Sequence, residues 1–159
     1  MPNVGPLLQV TDLQTDFHTA AGVVPVVRKV PFGLDPAETL GLVGESGSGK
    51  SVTAMSIMRL IKSPLGRISG GRVVYKGTDL LTQNDAYMRG VRGNRISMIF
   101  QEPMTSLNPL HTIEKQLSES LTLHQGLSGA AARARVLDLL HKVGIREAES
   151  RLSAYPHQL

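Results

Sequence analysis

The 159-residue chain contains no cysteine and no tryptophan, and only 4% of its residues are aromatic. Without cysteine it can form no disulfide, no thiol nucleophile and no Cys-based zinc site. It has no apolar run of about 18 residues and no signal-peptide pattern at its N-terminus, so we expect a protein made and kept in the cytoplasm. Hydrophobic residues make up 41% of the chain and charged residues 19%, which is typical of a folded domain.

The charge distribution leaves two interpretations open. The formal net charge is +4, and basic residues dominate the stretch from Arg59 to Arg95. This stretch is either a nucleic-acid surface or a solvated basic face, and we favour the solvated face because no RNA-binding aromatic motif and no recognition helix accompany it. The five histidines show no metal-ligand spacing, so we interpret them as structural or surface residues.

A phosphate-binding loop is the most specific motif in the chain. Residues 44–51 match the pattern G-x-x-x-x-G-K-[ST] at every fixed position. The glycines allow a tight turn whose N–H groups face inward and, with the start of the next helix, form an anion site. Lys50 can reach the β- and γ-phosphates, and the Ser51 hydroxyl is placed to ligate Mg²⁺. The predicted nucleotide-binding residues of this segment are Gly44, Glu45, Ser46, Gly47, Ser48, Gly49, Lys50, Ser51 and Val52.

The elements around the loop are predicted from apolar patterns. Thr39–Val43 is a short apolar run that predicts a buried parallel strand, and Val52–Lys62 is apolar nearly all round, which predicts a buried helix. Arg95–Phe100 predicts a second short apolar strand. Strand, loop and helix in this order are the setting that the motif requires.

The rest of the chain divides into a strand-rich and a helical part. Leu8–Phe17 predicts a half-buried strand, and Arg67–Lys76 predicts a hairpin arm. Val23–Leu34 predicts either a strand pair or one bent strand, which its prolines restrict to an edge or bulge. After Pro109 the apolar residues repeat at helical spacing, with Ser128 and Gly144 as capping residues of the second helix. We therefore predict a nucleotide-binding α/β core over residues 1–109 and a partial helical subdomain over residues 110–159.

A second motif narrows the choice among phosphate-loop proteins. The run Gln101–Pro109 follows the predicted strand directly. Together with the phosphate loop it resembles the ATP-binding subunit of ABC transporters, over essentially the whole chain. The segments 41–51 and 102–109 resemble the subfamily that drives oligopeptide, dipeptide, nickel or glutathione importers. The resemblance implies an α/β fold of the P-loop NTPase type: the N-terminal portion of an ABC-type ATPase, with a mixed β layer and phosphate-loop core, followed by part of the helical subdomain.

The resemblance also implies roles for individual residues. Gln101 matches the family's Q-loop glutamine, a catalytic residue that binds Mg²⁺ or the attacking water, and Lys50 is the second implied catalytic residue. Phe17 matches the aromatic residue that stacks on adenine, a contact worth ~1–3 kcal/mol per base. The alternatives are that Phe17 ends a strand in the core and that Gln101 is a solvated loop residue. Glu45 is expected to face solvent. The implied cofactors are ATP and Mg²⁺.

The implied function is that of the ATP-binding, ATP-hydrolysing component of an importer for peptides or related small solutes. The implied partners are a second ATP-binding subunit, arranged head-to-tail, and transmembrane permease subunits, with no nucleic acid. The expected location is peripheral, on the cytoplasmic side of the inner membrane. Other subunits would select the solute.

The chain departs from the family pattern at several positions. Pro31 stands where the subfamily usually has Ser, and Ala37 where the turn usually has Gly. The family's LSGGQ motif would begin at Leu159, and the Walker B aspartate, catalytic glutamate and switch histidine are missing from these 159 residues. Val136–Asp138 looks like a Walker B ending but lies on an amphipathic pattern, so we reject it.

The missing motifs leave the enzymatic activity open. The parent family hydrolyses ATP, whereas we expect the 159-residue chain alone to be inactive. The alternatives are a nucleotide-binding fragment that does not hydrolyse ATP, and another P-loop enzyme such as a GTPase or small-molecule kinase. The chain has no guanine-reading Asn-Lys-x-Asp motif, which argues against a GTPase.

Overall fold

A computed structural model describes residues 5–102 and 106–158 of the chain. Pro103, Met104 and Thr105 of the second motif, and Leu159, lie outside the described residues. The chain divides into two compact units, Met1–Arg92 and Gly93–Leu159. The boundary between these units lies earlier in the chain than the boundary predicted between the nucleotide-binding core and the helical subdomain, at residues 109 and 110.

The first unit is built on a four-stranded sheet. Its strands are β1 (Leu8–Thr19), β2 (Gly22–Leu34), β3 (Gly66–Tyr75) and β4 (Thr78–Asp79). Their order is β2-β1-β3-β4, and every neighbouring pair is antiparallel. The predicted strands over Leu8–Phe17 and Arg67–Lys76 are confirmed, and Val23–Leu34 forms one strand. That strand lies at an edge of the sheet, where Pro25 and Pro31 remove few ladder hydrogen bonds.

Helix α1 (Lys50–Ile57) packs against β1 and β2 and ends earlier than predicted. Its end is a Schellman motif: the N–H of Leu60 donates to Met55 O at 2.8 Å, and the N–H of Arg59 donates to Ser56 O at 3.0 Å. Arg59 takes the left-handed conformation with φ 52°. The guanidinium of Arg92 then donates to the carbonyls of Met58 and Arg59, both at 2.8 Å. The prediction of a helix to Lys62 is therefore wrong at its end.

The predicted parallel strand over Thr39–Val43 and the predicted short strand over Arg95–Phe100 are not formed. Residues 39–43 have no strand conformation, and within residues 95–100 only Ile96 forms an isolated bridge. Val43 is 94% exposed and Ile99 95% exposed. An apolar run becomes a buried strand only when neighbouring backbones pair with it on both sides, and neither run has such partners among residues 5–102 and 106–158.

The first unit closes with a short helical connection. A 3₁₀ turn at Leu80–Thr82 follows Asp79, whose side chain accepts from the N–H of Leu81. Helix α2 (Asp85–Val91) begins at Asn84, whose side chain accepts from the N–H of Tyr87 at 2.9 Å. Both short helical segments therefore begin at a side chain that caps a free backbone N–H.

The second unit is helical. It contains α3 (Ile113–Gln125), α4 (Gly129–Lys142), α5 (Ala148–Arg151) and a 3₁₀ turn at Pro156–Gln158. Its core consists of Ile113, Leu121, Val136, Leu140, Ala148 and Leu152. Ser128 occupies the predicted capping position of α4 without a side-chain cap bond, and Gly144 follows the helix with φ 77°. No helix in the described ranges is long and apolar enough to cross a membrane.

Candidate functional site

The predicted phosphate loop lies between an irregular, exposed segment and the start of α1. Residues 44–48 are exposed, and Gly49 and Lys50 are half-buried. The N–H of Ser48 donates to Glu45 O at 3.2 Å, which closes a turn within the loop. The loop then enters α1 through Gly49, whose φ is 92°. The chain therefore places the free N–H groups of the first helical turn directly behind the loop.

Lys50 turns its ammonium group back into the loop. Its Nζ donates to Gly44 O at 2.6 Å, to Glu45 O at 2.7 Å and to Ser48 Oγ at 3.2 Å. An ammonium group has three donors, so these contacts use all of them. The only positive charge of the loop thus lies at its centre, bounded by residues from both of its ends.

The glycines of the loop fit a compact phosphate cradle. A Cβ at Gly44 would lie 2.7 Å from Ser48 Oγ, and one at Gly49 would lie 2.8 Å from the carbonyl oxygen of Val26 in β2. Gly47 has φ 80°, a conformation that side chains other than glycine rarely adopt. The loop is therefore held close to β2 in a form that only glycine permits, and the residues present fit a bound phosphate chain.

Hydroxyl groups attach the loop's helix to the sheet. Thr53 Oγ1 and the N–H of Thr53 both donate to Gly49 O, at 2.9 and 2.8 Å, within the first turn of α1. One turn later, Ser56 Oγ lies 2.7 Å from Thr15 Oγ1 of β1, with both residues fully buried. Sequence reasoning did not identify Thr53, Ser56 or Thr15 as supports, since only the three-dimensional pairing relates them to the loop.

Ser51 and Val52 occupy the first turn of α1. Ser51 is exposed and Val52 half-buried. No group of three or more His, Asp or Glu side chains that could hold a metal ion occurs among the described residues. The Ser51 hydroxyl is an oxygen of the kind that a hard cation such as Mg²⁺ takes as a ligand.

Phe17 lies near the end of β1 in the first unit, the same unit as the phosphate loop. Its cross-strand partners are Val24 on β2 and Gly66 on β3. The side chain is half-buried, so part of the ring remains open to a ligand. This placement is compatible both with a base platform and with the alternative of a strand-end core residue.

Gln101 belongs to the second unit, where it is exposed. The end of its motif is fastened to α3 by Gln116. The Oε1 of Gln116 accepts from the N–H of Asn108 at 2.9 Å, and its Nε2 donates to Asn108 O at 3.1 Å and to His111 O at 2.9 Å. Sequence reasoning missed Gln116, because a lone glutamine on an amphipathic helix carries no local signal.

Asp138, the residue that imitates a Walker B ending, is a surface residue of α4. Its carboxylate pairs with Arg135 and with Lys142, the latter at 2.9 Å. These partners, first the hydrogen bond from Lys142, lower the pKa of Asp138 below its ordinary value. The rejection of Val136–Asp138 as a Walker B strand is confirmed by this helical position.

Comparison with known proteins identifies a single family. The sequence profile described as ABC transporter matches residues 27–159. The chain is 55% identical over 157 residues to the peptidoglycan transport ATP-binding protein YejF of Agrobacterium fabrum (strain C58), a match that covers 99% of this chain and 29% of that protein. It is 47% identical over 158 residues to the oligopeptide transport ATP-binding protein OppD of Bacillus subtilis (strain 168), covering 99% of this chain and 44% of that protein. The chain thus spans less than half the length of these curated relatives.

Solved structures of an ABC transporter cassette have the same fold as this chain. The dimeric structure of MJ0796, described as a bacterial ABC transporter cassette, superposes with a TM-score of 0.81 at 22% identity. The match covers 96% of this chain and 62% of the cassette. A post-hydrolysis state of MJ0796 bound to ADP and Pi superposes with a TM-score of 0.81 at 23% identity. At 22% and 23% sequence identity, these matches show a common fold alone.

Proposed function

Because this chain belongs to the ABC transporter family, whose ATPase domains bind ATP, we propose that it is the MgATP-binding core of a subunit that hydrolyses ATP to drive the import of peptides or related small solutes. The observation that carries this proposal is the geometry of Lys50. Its ammonium nitrogen lies within 2.6 to 3.2 Å of three loop oxygens at the start of a helix.

The phosphate grip follows from the chain's own groups. Lys50 Nζ exchanges loop carbonyls for phosphate oxygens, which are stronger acceptors because they carry full negative charge. The N–H groups of the loop and of the first turn of α1 supply further donors, and the aligned peptide dipoles favour an anion at that end. Gly44 and Gly49 keep the loop narrow enough for these donors to converge.

Ser51 and Gln101 are the proposed ligands for Mg²⁺. Both side chains offer neutral oxygens, which suit a hard cation that is also held by phosphate oxygens. Mg²⁺ held by these residues would supply neutralisation of phosphate charge during phosphoryl transfer. The exposed hydroxyl of Ser51 lies next to Lys50, so the same turn of α1 can serve both the phosphates and the cation.

The solute class rests on the names of the relatives. Proteins that share 47% to 55% identity with this chain are named for transport of oligopeptides, peptides or peptidoglycan. These names support a peptide or related small solute. We propose that the membrane and solute-binding subunits select the solute, and that this chain contributes the nucleotide site.

The proposed partners are a second ATP-binding subunit, in head-to-tail arrangement, and transmembrane permease subunits. The dimeric state of the MJ0796 cassette supports the first partner, and the transport names of the relatives support the second. Such partners would hold the subunit peripherally, at the cytoplasmic side of the inner membrane. Gln101 and the helices after it are the proposed contact region for the permease.

Substitution of Lys50 tests the proposal. Lys50→Ala removes a charged donor worth roughly 1.5–3 kcal/mol, so ATP affinity should fall at least about tenfold. Lys62→Ala, which removes an exposed lysine of the same unit, serves as the matched control and should bind like the parent chain. Titrations with MgATP and MgGTP, read by calorimetry, would also separate this function from a GTPase. Superimposable ATP curves for Lys50→Ala and the parent chain would refute the assignment.

A further inference from the structure

The ring of Phe17 rests on a glycine of the neighbouring strand. Gly66, the first residue of β3, is the direct cross-strand partner of Phe17. A Cβ at Gly66 would lie 3.2 Å from Phe17 Cε1 and 3.4 Å from Phe17 Cζ. Gly66 is buried whereas Phe17 is half-buried. The far edge of the ring therefore covers the glycine backbone, as aromatic side chains do when they shield a glycine in a sheet.

Ile61 also lies against the position that a Cβ at Gly66 would occupy. A Cβ at Gly66 would lie only 2.5 Å from Ile61 Cγ2, a distance at which one of the two must move. The peptide group between Leu65 and Gly66 is held by two backbone hydrogen bonds. The N–H of Gly66 donates to Lys62 O at 2.9 Å, and the N–H of His18 donates to Leu65 O at 2.7 Å. Any atom added at Gly66 must therefore displace side chains rather than the strand.

Gly66 is needed here for space and not for its backbone conformation. It is absent from the positive-φ glycines of the described residues, unlike Gly47 and Gly49. An alanine can adopt the same backbone at no conformational cost. The effect of Gly66→Ala is therefore attributable to one methyl group wedged between the Phe17 ring and Ile61.

Resting on the proposed function as an ATP-binding core and on the adenine-stacking role that the family resemblance implies for Phe17, we propose that Gly66 is a positioning residue. It would set the plane of the Phe17 ring and thereby shape the nucleotide base subsite. Stacking requires the ring face to lie parallel to the base. A methyl group beneath the ring edge tilts that face. The phosphate loop is untouched by this change, because Gly44, Gly49 and Lys50 make their contacts with other residues.

The test compares two ligands that share phosphates but not a base. Dissociation constants of MgATP and of inorganic tripolyphosphate with Mg²⁺ are measured by calorimetry for the parent chain and for Gly66→Ala. Base stacking corresponds to roughly fivefold to 150-fold in affinity. We expect Gly66→Ala to lose at least about fivefold for MgATP and less than about twofold for tripolyphosphate. Gly70→Ala is the matched control in the same strand, since the nearest neighbours of its Cβ would be atoms of the flexible Gln14 side chain, the closest at 3.0 Å.

A double-mutant cycle separates positioning from a general loss of structure. In a Phe17→Leu background, Gly66→Ala should cause little further loss of MgATP affinity, because the ring through which it acts is gone. Gly66→Ala alone can lower the temperature of thermal unfolding. In that case, Gly66→Ala is combined with Ile61→Ala, which removes the 2.5 Å contact and keeps the methyl group under the ring. This double variant should show the same selective loss of MgATP affinity.

Several outcomes would overturn the inference. The inference fails if Gly66→Ala binds MgATP like the parent chain, or if it loses equal affinity for MgATP and tripolyphosphate. It also fails if the losses of affinity caused by Gly66→Ala and Phe17→Leu are fully additive. The proposed adenine role of Phe17 is tested by the same data. If Phe17→Leu binds MgATP like the parent chain, that role fails and the role of Gly66 fails with it. If Phe17→Leu is weakened and Gly66→Ala is not, only the role of Gly66 is refuted.

Discussion

Thr15 Oγ1 donates a buried hydrogen bond to Ser56 Oγ across 2.7 Å. The direction follows from the proton count, because the single hydrogen of the Ser56 hydroxyl is donated to Val52 O, also at 2.7 Å. The bond joins the strand that carries Phe17 to the helix that begins with Lys50. It therefore couples the two elements from which the proposed nucleotide site is built.

We predict that this hydroxyl pair stabilises the first unit cooperatively. Ser56→Ala leaves the buried Thr15 hydroxyl without its acceptor, which should lower the free energy of unfolding by about 1–3 kcal/mol. The combination of Thr15→Val and Ser56→Ala should cost less than the sum of the two single variants, since both partners become apolar. Urea denaturation of the four proteins measures the coupling. Strict additivity would show that the two hydroxyls do not stabilise each other.

Ala37 offers a stabilising substitution. It adopts φ 62° in the Asp35–Glu38 turn, at the position where the subfamily usually has glycine. The left-handed conformation costs a residue with a Cβ roughly 1–2 kcal/mol, and replacement by glycine relieves this strain. Glycine also loses more chain entropy on folding, which offsets about 0.5–1 kcal/mol of that gain. We expect Ala37→Gly to raise the free energy of unfolding by about 0.5 kcal/mol. Ala20→Gly, at a turn residue without positive φ, is the control and should not stabilise.

Gln101 should matter for transport more than for nucleotide binding. We expect Gln101→Ala in the full-length transporter subunit to impair solute uptake severely, while its MgATP affinity falls less than that of Lys50→Ala. The reason is the proposed position of Gln101 between the nucleotide and the permease. Uptake of labelled peptide by reconstituted vesicles provides the measurement, with Gln9→Ala, an exposed glutamine of β1 outside the proposed permease contact region, as the control. Normal uptake by the Gln101 variant would contradict the proposed role.

The exposed apolar runs predict self-association of the purified 159-residue chain. Val43 and Ile99 are 94% and 95% exposed, and they sit in runs with the composition of buried strands. Contiguous apolar surface of this kind promotes association. We expect concentration-dependent sedimentation, reduced when Val43→Thr and Ile99→Thr are combined. A clean monomer at all concentrations, with a sharp cooperative melt, would disprove this.

The sequence was sufficient for features that depend on local chemistry. The predicted ABC-type α/β fold is confirmed by the family profile over residues 27–159 and by solved structures with a TM-score of 0.81. The strands over Leu8–Phe17 and Arg67–Lys76 could be predicted, because alternation of apolar side chains is visible in the chain itself. The phosphate loop could be located for a similar reason, since its glycines and lysine are consecutive.

The failed predictions depend on residues distant in sequence. The run Thr39–Val43 has the apolar pattern of a buried strand. A strand also needs neighbouring strands to pair with, and the residues of the run itself give no information about them. The end of α1 was missed because Arg59 adopts a left-handed conformation without being glycine. The contacts of Gly49 with Val26 and of Gly66 with Phe17 likewise connect separate strands and loops.

The cap that Arg92 places on the end of α1 has a consequence for the order of folding during synthesis. Its guanidinium reaches back to the carbonyls of Met58 and Arg59, and β1 must wait for β3 before it is paired on both sides. Domains fold as units while the chain emerges, and distant pairings form late. The first unit therefore cannot complete its folding from an N-terminal part of its sequence. Arg92 must be synthesised before the C-terminal end of α1 acquires its final hydrogen bonds.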